Sequence, residues 1–201
     1  MILLIAIIAG LVAGMARAKI AGRDFCNPDL RMGWLLLIAV IPQLFSFHQP
    51  QTSQITPDEV ASGILVGSQL ILLVFAWINR KLPGFWALGL GLSLNFLVIV
   101  LNGGLMPISP DTVYRLSPGA VIESFHFGTR LGSSKDILLA IESTRLWWLS
   151  DCLVLPDWIP YRVAFSLGDI FIALGAFWLF WVHGDIDNIQ ARYFRPKNNS
   201  K

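Results

Sequence analysis

Residues 85–101 read FWALGLGLSLNFLVIVL, and this run without a charged side chain decides the class of fold. A helix needs roughly 20 mostly apolar residues to cross a bilayer core about 30 Å thick. We expect membrane-spanning helices at this run and at four others: about 1–16, 33–47, 60–79 and 163–182. The sequence therefore predicts an all-α, polytopic integral membrane protein, with five transmembrane helices forming a single membrane domain over 1–201.

The composition excludes a soluble enzyme, a disordered tail and a disulfide scaffold. Of the 201 residues, 55% are hydrophobic and only 14% are charged, whereas soluble domains carry about 25% charged residues. The net charge of +2 is too small to indicate a nucleic-acid partner. The expected surroundings are the lipid bilayer, and nothing basic precedes the run at 1–16, which favours a retained helix over a cleaved signal peptide.

The Lys and Arg residues predict the orientation, because cytoplasmic loops carry an excess of them. Ten belong to one side of the predicted topology: Arg17, Lys19, Arg23, Arg31, Arg80, Lys81, Arg192, Arg195, Lys197 and Lys201. The other side has five basic residues, all within the long segment at 102–162: Arg115, Arg130, Lys135, Arg145 and Arg162. We therefore expect the N-terminus outside and the C-terminus in the cytoplasm, with Cys26 and Cys152 on opposite sides and unable to pair.

The extracytoplasmic segment at 102–162 is far longer than an ordinary connection between packed helices. Long ordered insertions are usually functional. It opens with Asn102-Gly103-Gly104, a turn-forming run that ends the fourth predicted helix. The apolar stretch 137–148 fits either a strand pair or a short interfacial helix, and periodicity does not separate the two.

Two carboxylates are the candidate site residues. Asp151 lies near the end of the outer segment, and Asp169 lies in the first turns of the last predicted helix. An ionisable residue in an apolar span is a functional candidate by default, and two close carboxylates can share a proton. Alternatively, Asp169 caps its helix or pairs with Arg145 or Arg162, and Asp151 is a solvated loop residue.

Small and polar residues mark helix contacts. The fourth predicted helix carries Gly89, Gly91, Ser93 and Asn95, whose small members permit close approach of a neighbouring helix, and Asn95 is expected to hydrogen-bond across helices. In the third predicted helix, Gly63 and Gly67 have the spacing of a helix-packing face. A second copy or another membrane protein could use this face or the outer segment.

No cofactor or metal is expected. Histidine is the usual axial ligand of haem iron, but His48 and His183 lie at opposite ends of different helices and His126 lies in the outer segment. Metal-ligand spacings and nucleotide-binding or hydrolase motifs are lacking.

The whole chain resembles an uncharacterised family of small bacterial multi-pass membrane proteins, known only as a domain of unknown function. The resemblance lies in the run Asn102-Gly103-Gly104-Leu-Met-Pro-Ile-Ser, in Thr-Arg145-Leu-Trp with Asp151, and in Ser-Leu-Gly-Asp169. It implies bacterial origin and the plasma membrane, and it implies no activity.

A weaker resemblance covers about 150–176, which is similar to the end of signal peptidase II, the lipoprotein signal peptidase. That family has one catalytic Asp in a loop and a second at the outer start of its last helix, so the resemblance implies Asp151 and Asp169 as the dyad. Ser166 and Gly168 depart from that family's Asn and Ala. The leading hypothesis is a non-catalytic accessory or assembly subunit of a plasma-membrane complex, and the alternative is an aspartyl peptidase-like hydrolase at the outer leaflet. A third hypothesis is a proton or solute pathway that uses Asp169, which the lack of a visible inverted repeat disfavours.

Overall fold

The structure is a computed structural model that describes residues 2–22, 24–47, 49, 52, 55–118, 126–132, 134–156, 158–159 and 161–183. Most of these residues are helical. The helices are α1 (Ile2–Ile20), α2 (Trp34–Phe47), α3 (Asp58–Ile78), α4 (Phe85–Leu101), α5 (Pro110–Leu116) and α6 (Leu167–His183). The short strands are β1 (Met106–Ile108), β2 (Asp136–Leu138), β3 (Leu153–Val154) and β4 (Ala164–Phe165).

Two of these helices are long and apolar enough to cross a membrane. They span Leu3–Ile20 and Asp58–Ile78, each with a mean hydropathy of 2.0. Three shorter apolar helices accompany them: Trp34–Phe47, Phe85–Leu101 and Leu167–His183. The structure therefore confirms a mostly helical, apolar chain. The finer expectation of an all-α fold is wrong between the fourth and the last long helix, where, among the described residues, four short strands form two small sheets.

The five long helices pack in the order α1, α6, α4, α3, α2. Glycines allow a close approach between α4 and α6. A Cβ built on Gly91 would lie 2.3 Å from the carbonyl oxygen of Gly168, and one built on Gly168 would lie 2.0 Å from Oδ1 of Asn95. The prediction that Gly91 permits close helix approach is confirmed.

The ends of α1, α3 and α6 meet at one end of the bundle, together with the segment between α1 and α2. The backbone N–H of Cys26 donates to the carbonyl of His183. The side chain of Asn79, after α3, exchanges two hydrogen bonds with the backbone of Arg31. The guanidinium of Arg17 lies 5.1 Å from the centre of the Trp181 ring.

The described part of the segment 102–166 between α4 and α6, called the cap below, covers the opposite end of the bundle. Strands β1 and β2 pair in parallel, with Met106 opposite Asp136, and β3 and β4 pair antiparallel. The cap is tied to the start of α3 by Arg130, whose Nε lies 3.1 Å from a carboxylate oxygen of Asp58. Leu149 of the cap is buried in the same core cluster as residues of α3 and α4.

Two local expectations need correction. The stretch 137–148 is neither a strand pair nor one helix: after β2 it forms two single 3-10 turns, Ile141–Ser143 and Trp147–Leu149. The last helix begins at Leu167 rather than at 163, because Ala164–Phe165 pair as a strand with Leu153–Val154.

Candidate functional site

The motif residues Asn102 and Arg145 meet through the backbone. The side-chain amide of Asn102 donates to the carbonyl of Arg145 at 2.9 Å and accepts from the Arg145 N–H at 2.9 Å. The next residue, Leu146, has a left-handed φ of 54°, which is costly for a residue with a Cβ. The double hydrogen bond holds the chain just before this strained position.

Gly103 and Gly104 supply the reversal that follows α4. Their φ values of 88° and 89° lie where side chains are disfavoured. A Cβ on Gly104 would also lie 2.8 Å from the Cβ of Ser62, so the turn packs directly on α3. Gly103 and Gly104 are therefore required for the conformation and close packing of the turn.

Asp169 lies at the start of α6, in a network that joins α6 to α4. Its Oδ1 accepts from Nδ2 of Asn95 at 2.9 Å, and its Oδ2 accepts from the backbone N–H of Ser166 at 3.1 Å. The Ser166 hydroxyl accepts from the Asp169 N–H at 3.0 Å and donates to Oδ1 of Asn95 at 2.8 Å. Ser166 and Asp169 thus form a reciprocal N-terminal cap of the kind that satisfies free helix donors.

These contacts decide between the alternatives for Asp169. Capping of the last helix is confirmed, and so is the cross-helix hydrogen bond of Asn95. Pairing of Asp169 with Arg145 or Arg162 is wrong, because the Arg162 guanidinium donates to the carbonyl of Arg115 and the Asp169 oxygens bond elsewhere. Ser166, which departs from the peptidase pattern, is the residue that completes the cap.

Asp151 is buried rather than solvated, with only 2% of its surface exposed. Its Oδ2 lies 2.5 Å from Nζ of Lys135, and its backbone N–H donates to the carbonyl of Pro107 in β1. No described residue hydrogen-bonds its Oδ1. The expectation of a solvated loop residue is wrong, because the cap folds over this carboxyl group.

Lys135 forms ion pairs with two acidic groups of the site, Asp136 and Asp151. Its ammonium lies 3.2 Å from Oδ1 of Asp136, in addition to its contact with Asp151, and its side chain is 40% exposed. Burial acts to lower the pKa of Lys135, but the carboxylates of Asp136, Asp151 and Asp169 outweigh it and raise this pKa. Lys135 therefore stays positively charged throughout the physiological range.

The pKa of Asp151 moves in the direction expected for a buried acid. Burial raises it, the Lys135 ammonium opposes this, and the charges of Asp136 and Asp169 raise it further, to about 7. Asp151 and Asp169 thus interact through their charges, but no hydrogen bond joins them among the described residues. The structure brings the two predicted carboxylates into one electrostatic cluster around Lys135.

One groove of the cap lies beside the residues that flank Asp151. This groove has a volume of ≈ 170 Å³ and is lined by residues that include Thr144, Trp147, Ser150 and Cys152. Its lining contains neither Asp151 nor Asp169. A molecule in this groove would therefore meet Ser150 and Cys152, the chain neighbours of Asp151, and not its carboxyl group.

In the described part of the chain, no group of three or more His, Cys, Asp and Glu side chains is placed to hold a metal ion. His183 is buried, with Nδ1 2.6 Å from the carbonyl oxygen of Leu179, and His126 is exposed. His48 lies outside the described residues.

Sequence reasoning missed the role of Lys135. Its only local signal is the neighbouring Asp136, and an adjacent Lys-Asp pair is ordinary on a protein surface. Its contact with Asp151, sixteen residues away, depends on the pairing of β1 with β2. Asn95 was singled out correctly, although the sequence did not show which group it bonds.

Comparison with known proteins gives a family and no activity. No curated protein and no solved structure matches the chain. A family model described as a family of unknown function (DUF5317) matches residues 27–181, which is most of the chain and includes the Asn102 turn, the cap and both aspartates. The chain therefore belongs to this family of unknown function, DUF5317.

Proposed function

We propose that this chain is a non-catalytic accessory or assembly subunit of a complex in the bacterial plasma membrane. Five helices cross the bilayer, the N-terminus and the cap lie outside, and the C-terminus lies in the cytoplasm. In this role the cap is the surface that meets partner proteins.

The exposed surface of the helices supports the membrane location. Only 17% of Leu3–Ile20 and 28% of Asp58–Ile78 are buried inside the chain, although both are strongly apolar. A core helix of a soluble protein would be mostly covered. Large side chains such as Leu37, Trp77 and Trp86 are 61%, 62% and 70% exposed, which is costly in water and favourable in lipid.

The bonding of Asp169 is the observation that carries the non-catalytic role. Both of its oxygens accept hydrogen bonds from groups that hold α6 in place, one from Asn95 and one from the Ser166 backbone. Asp151 in turn is bonded to Lys135 and closed off from solvent. These carboxylates therefore have a structural explanation that needs no substrate.

Exposed aromatic side chains support the cap as the partner surface. Trp147 and Trp148 are each 49% exposed, Phe127 is 61% exposed and Trp158 is 81% exposed. Aromatic residues are enriched at protein interfaces, and isolated domains rarely leave several uncovered without a use.

The test is the size of the native complex in membranes extracted with a mild detergent. We expect the tagged chain to migrate well above its own 22.3 kDa together with other proteins. A Trp147→Ser/Trp158→Ser variant should lose this association while keeping its melting temperature. Leu37→Ser, on a helix face away from the cap, is the matched control and should keep it. A wild-type chain that migrates alone after gentle extraction would overturn the proposal.

A second candidate, an aspartyl peptidase-like hydrolase at the outer leaflet, is favoured by one observation. Asp151 has a buried oxygen with no described partner and a pKa raised to about 7, beside the charge of Asp169. In such a pair the ionised carboxyl takes a proton from water, the water oxygen attacks the peptide carbonyl, and the protonated carboxyl supplies the proton to the leaving amine.

This candidate is tested with lipoprotein-like peptides and the purified chain in detergent. Hydrolysis that Asp169→Asn and Asp151→Asn each abolish, and that Asp111→Asn leaves intact, would favour the hydrolase over the accessory role. Equal background cleavage by wild type and all three variants would reject it.

A further inference from the structure

A basic and aromatic groove lies at the end of the bundle opposite the cap, where α3 turns into α4. Two adjoining cavities form it, of ≈ 290 Å³ and ≈ 410 Å³. Arg80 and Trp86 line both cavities, so the two are continuous. The groove is therefore larger than either cavity and has two chemically different halves.

The first half is apolar and runs along the helices. Leu73, Trp77, Phe85, Gly89 and Leu90 of α3 and α4 line it. Its walls are long hydrophobic side chains of two helices, with Gly89 leaving room between them. Such a channel has the shape and chemistry for a hydrocarbon chain.

The second half carries positive charge. Arg80, Lys81 and the exposed Trp178 of α6 line it together with Pro83 and Gly84. The Arg80 guanidinium lies 4.3 Å from the centre of the Trp77 ring, and Nη1 donates to the Trp77 carbonyl, which fixes its position. Among the described residues, no carboxylate forms a salt bridge with Arg80 or Lys81. Arg80 and Lys81 therefore bring two positive charges to the wider cavity.

We propose that this groove binds an anionic phospholipid, with its phosphate between Arg80 and Lys81 and an acyl chain along α3 and α4. The inference rests on the proposed membrane location, in which this end of the bundle lies at the cytoplasmic headgroup level. The charge complementarity selects the occupant: basic pockets between helices bind anionic headgroups. Trp77, Trp86 and Trp178 occupy the depth at which indole rings concentrate in membranes.

The experiment measures phosphatidylglycerol retained by the detergent-purified chain in native mass spectrometry, in competition with phosphatidylcholine. The wild-type chain is expected to prefer phosphatidylglycerol, and Arg80→Gln/Lys81→Gln should reduce this preference about 30-fold, at about fivefold per basic residue. Lys81→Gln and Lys19→Gln form a matched pair, because both lysines are exposed near the same end of the bundle. Only Lys81→Gln should reduce the preference.

Several outcomes would overturn the proposal. One is equal retention of the two lipids by the wild-type chain, and another is a preference that survives Arg80→Gln/Lys81→Gln. Displacement of the lipid by inorganic phosphate at equal concentration would show a phosphate site without a role for the acyl chain. A chain that inserts into phosphatidylcholine vesicles without preferring phosphatidylglycerol refutes this inference alone, whereas failure to insert into any vesicle refutes the membrane location as well.

Discussion

The Lys135 ammonium lies 2.5 Å from the Asp151 carboxylate, and this contact joins two turns of the cap that are sixteen residues apart. The Asp151 backbone is bonded at the same time to Pro107 in β1. Asp169 interacts with both charges from the start of α6. The cap and the helices are therefore coupled at one charged centre, in which Asp151 is buried and Lys135 is partly exposed.

The bonds of Asp169 predict its contribution to stability. Asp169→Asn places an amide NH₂ against the donors of Asn95 and the Ser166 backbone, so at least one hydrogen bond is lost. We expect a loss of about 1–3 kcal/mol in the free energy of unfolding, measured by denaturant titration in detergent. Asp111→Asn is the control, because Asp111 also lies in a first helical turn but is exposed. Equal stability of the two variants would contradict the role of Asp169.

The approach of α4 to α6 predicts a difference between glycines. Gly91→Ala should cost about 1–3 kcal/mol through overpacking, because its Cβ would lie 2.3 Å from the Gly168 carbonyl oxygen. Gly63→Ala should not lower the free energy of unfolding, since a Cβ there meets open space. Melting temperatures in detergent check both, and a Gly91→Ala variant as stable as Gly63→Ala would refute the tight crossing.

The raised pKa of Asp151 predicts how stability depends on pH. Folding raises this pKa from 3.8 to about 7, so between these values the folded state holds a proton that the unfolded state has lost. The stability that Asp151 contributes is therefore fully present below about pH 4, falls as the pH rises, and is lost above about pH 7, with a slope of up to about 1.4 kcal/mol per pH unit. Asp151→Asn should remove this slope. The check is the melting temperature of wild type and variant between pH 4 and 8. If the two melting temperatures change with pH in parallel, Asp151 does not contribute the predicted pH dependence.

The proposed orientation predicts which cysteines react in intact cells. Cys26 is exposed at the end of the bundle assigned to the cytoplasm, so in a Cys152→Ser background a membrane-impermeant maleimide should label it only after permeabilisation. Tyr114→Cys in a chain with both native cysteines replaced by serine should react in intact cells, because Tyr114 is 56% exposed on the cap and is not one of the aromatic side chains proposed to meet partner proteins. The reverse pattern would show an inverted topology.

The sequence predicted the parts of this site that follow from local rules. An Asn in an apolar span must find a partner, and an acidic residue is favoured in the first turn of a helix, which is why Asn95 and Asp169 lie where hydrogen bonds were expected. Burial of Asp151 and its pairing with Lys135 depend on how the cap folds. That arrangement depends on the parallel pairing of β1 with β2, which are separated by almost thirty residues. Hydrophobic periodicity reports local structure and does not predict which distant strands pair.

The helix boundaries also divide into those that local sequence predicts and those that depend on contacts with distant residues. The apolar run predicts the end of α4 at Leu101 correctly. The helix stops there because Gly103 and Gly104 adopt positive φ values, which residues with side chains disfavour. The start of α6 was misplaced by four residues, because Ala164 and Phe165 are apolar enough to continue a helix but pair with β3 instead. Composition alone does not distinguish a short strand from a first helical turn.

The measurement that tests the structural role of the charged centre most directly is a mutant cycle between Lys135 and Asp151. Lys135→Met leaves a buried carboxylate without its cation and should cost about 3–5 kcal/mol at pH 8. Lys135→Met/Asp151→Asn should recover most of that loss, because the buried charge is then removed. A double variant as unstable as the sum of the two single variants would contradict the account and leave Asp151 in need of another role.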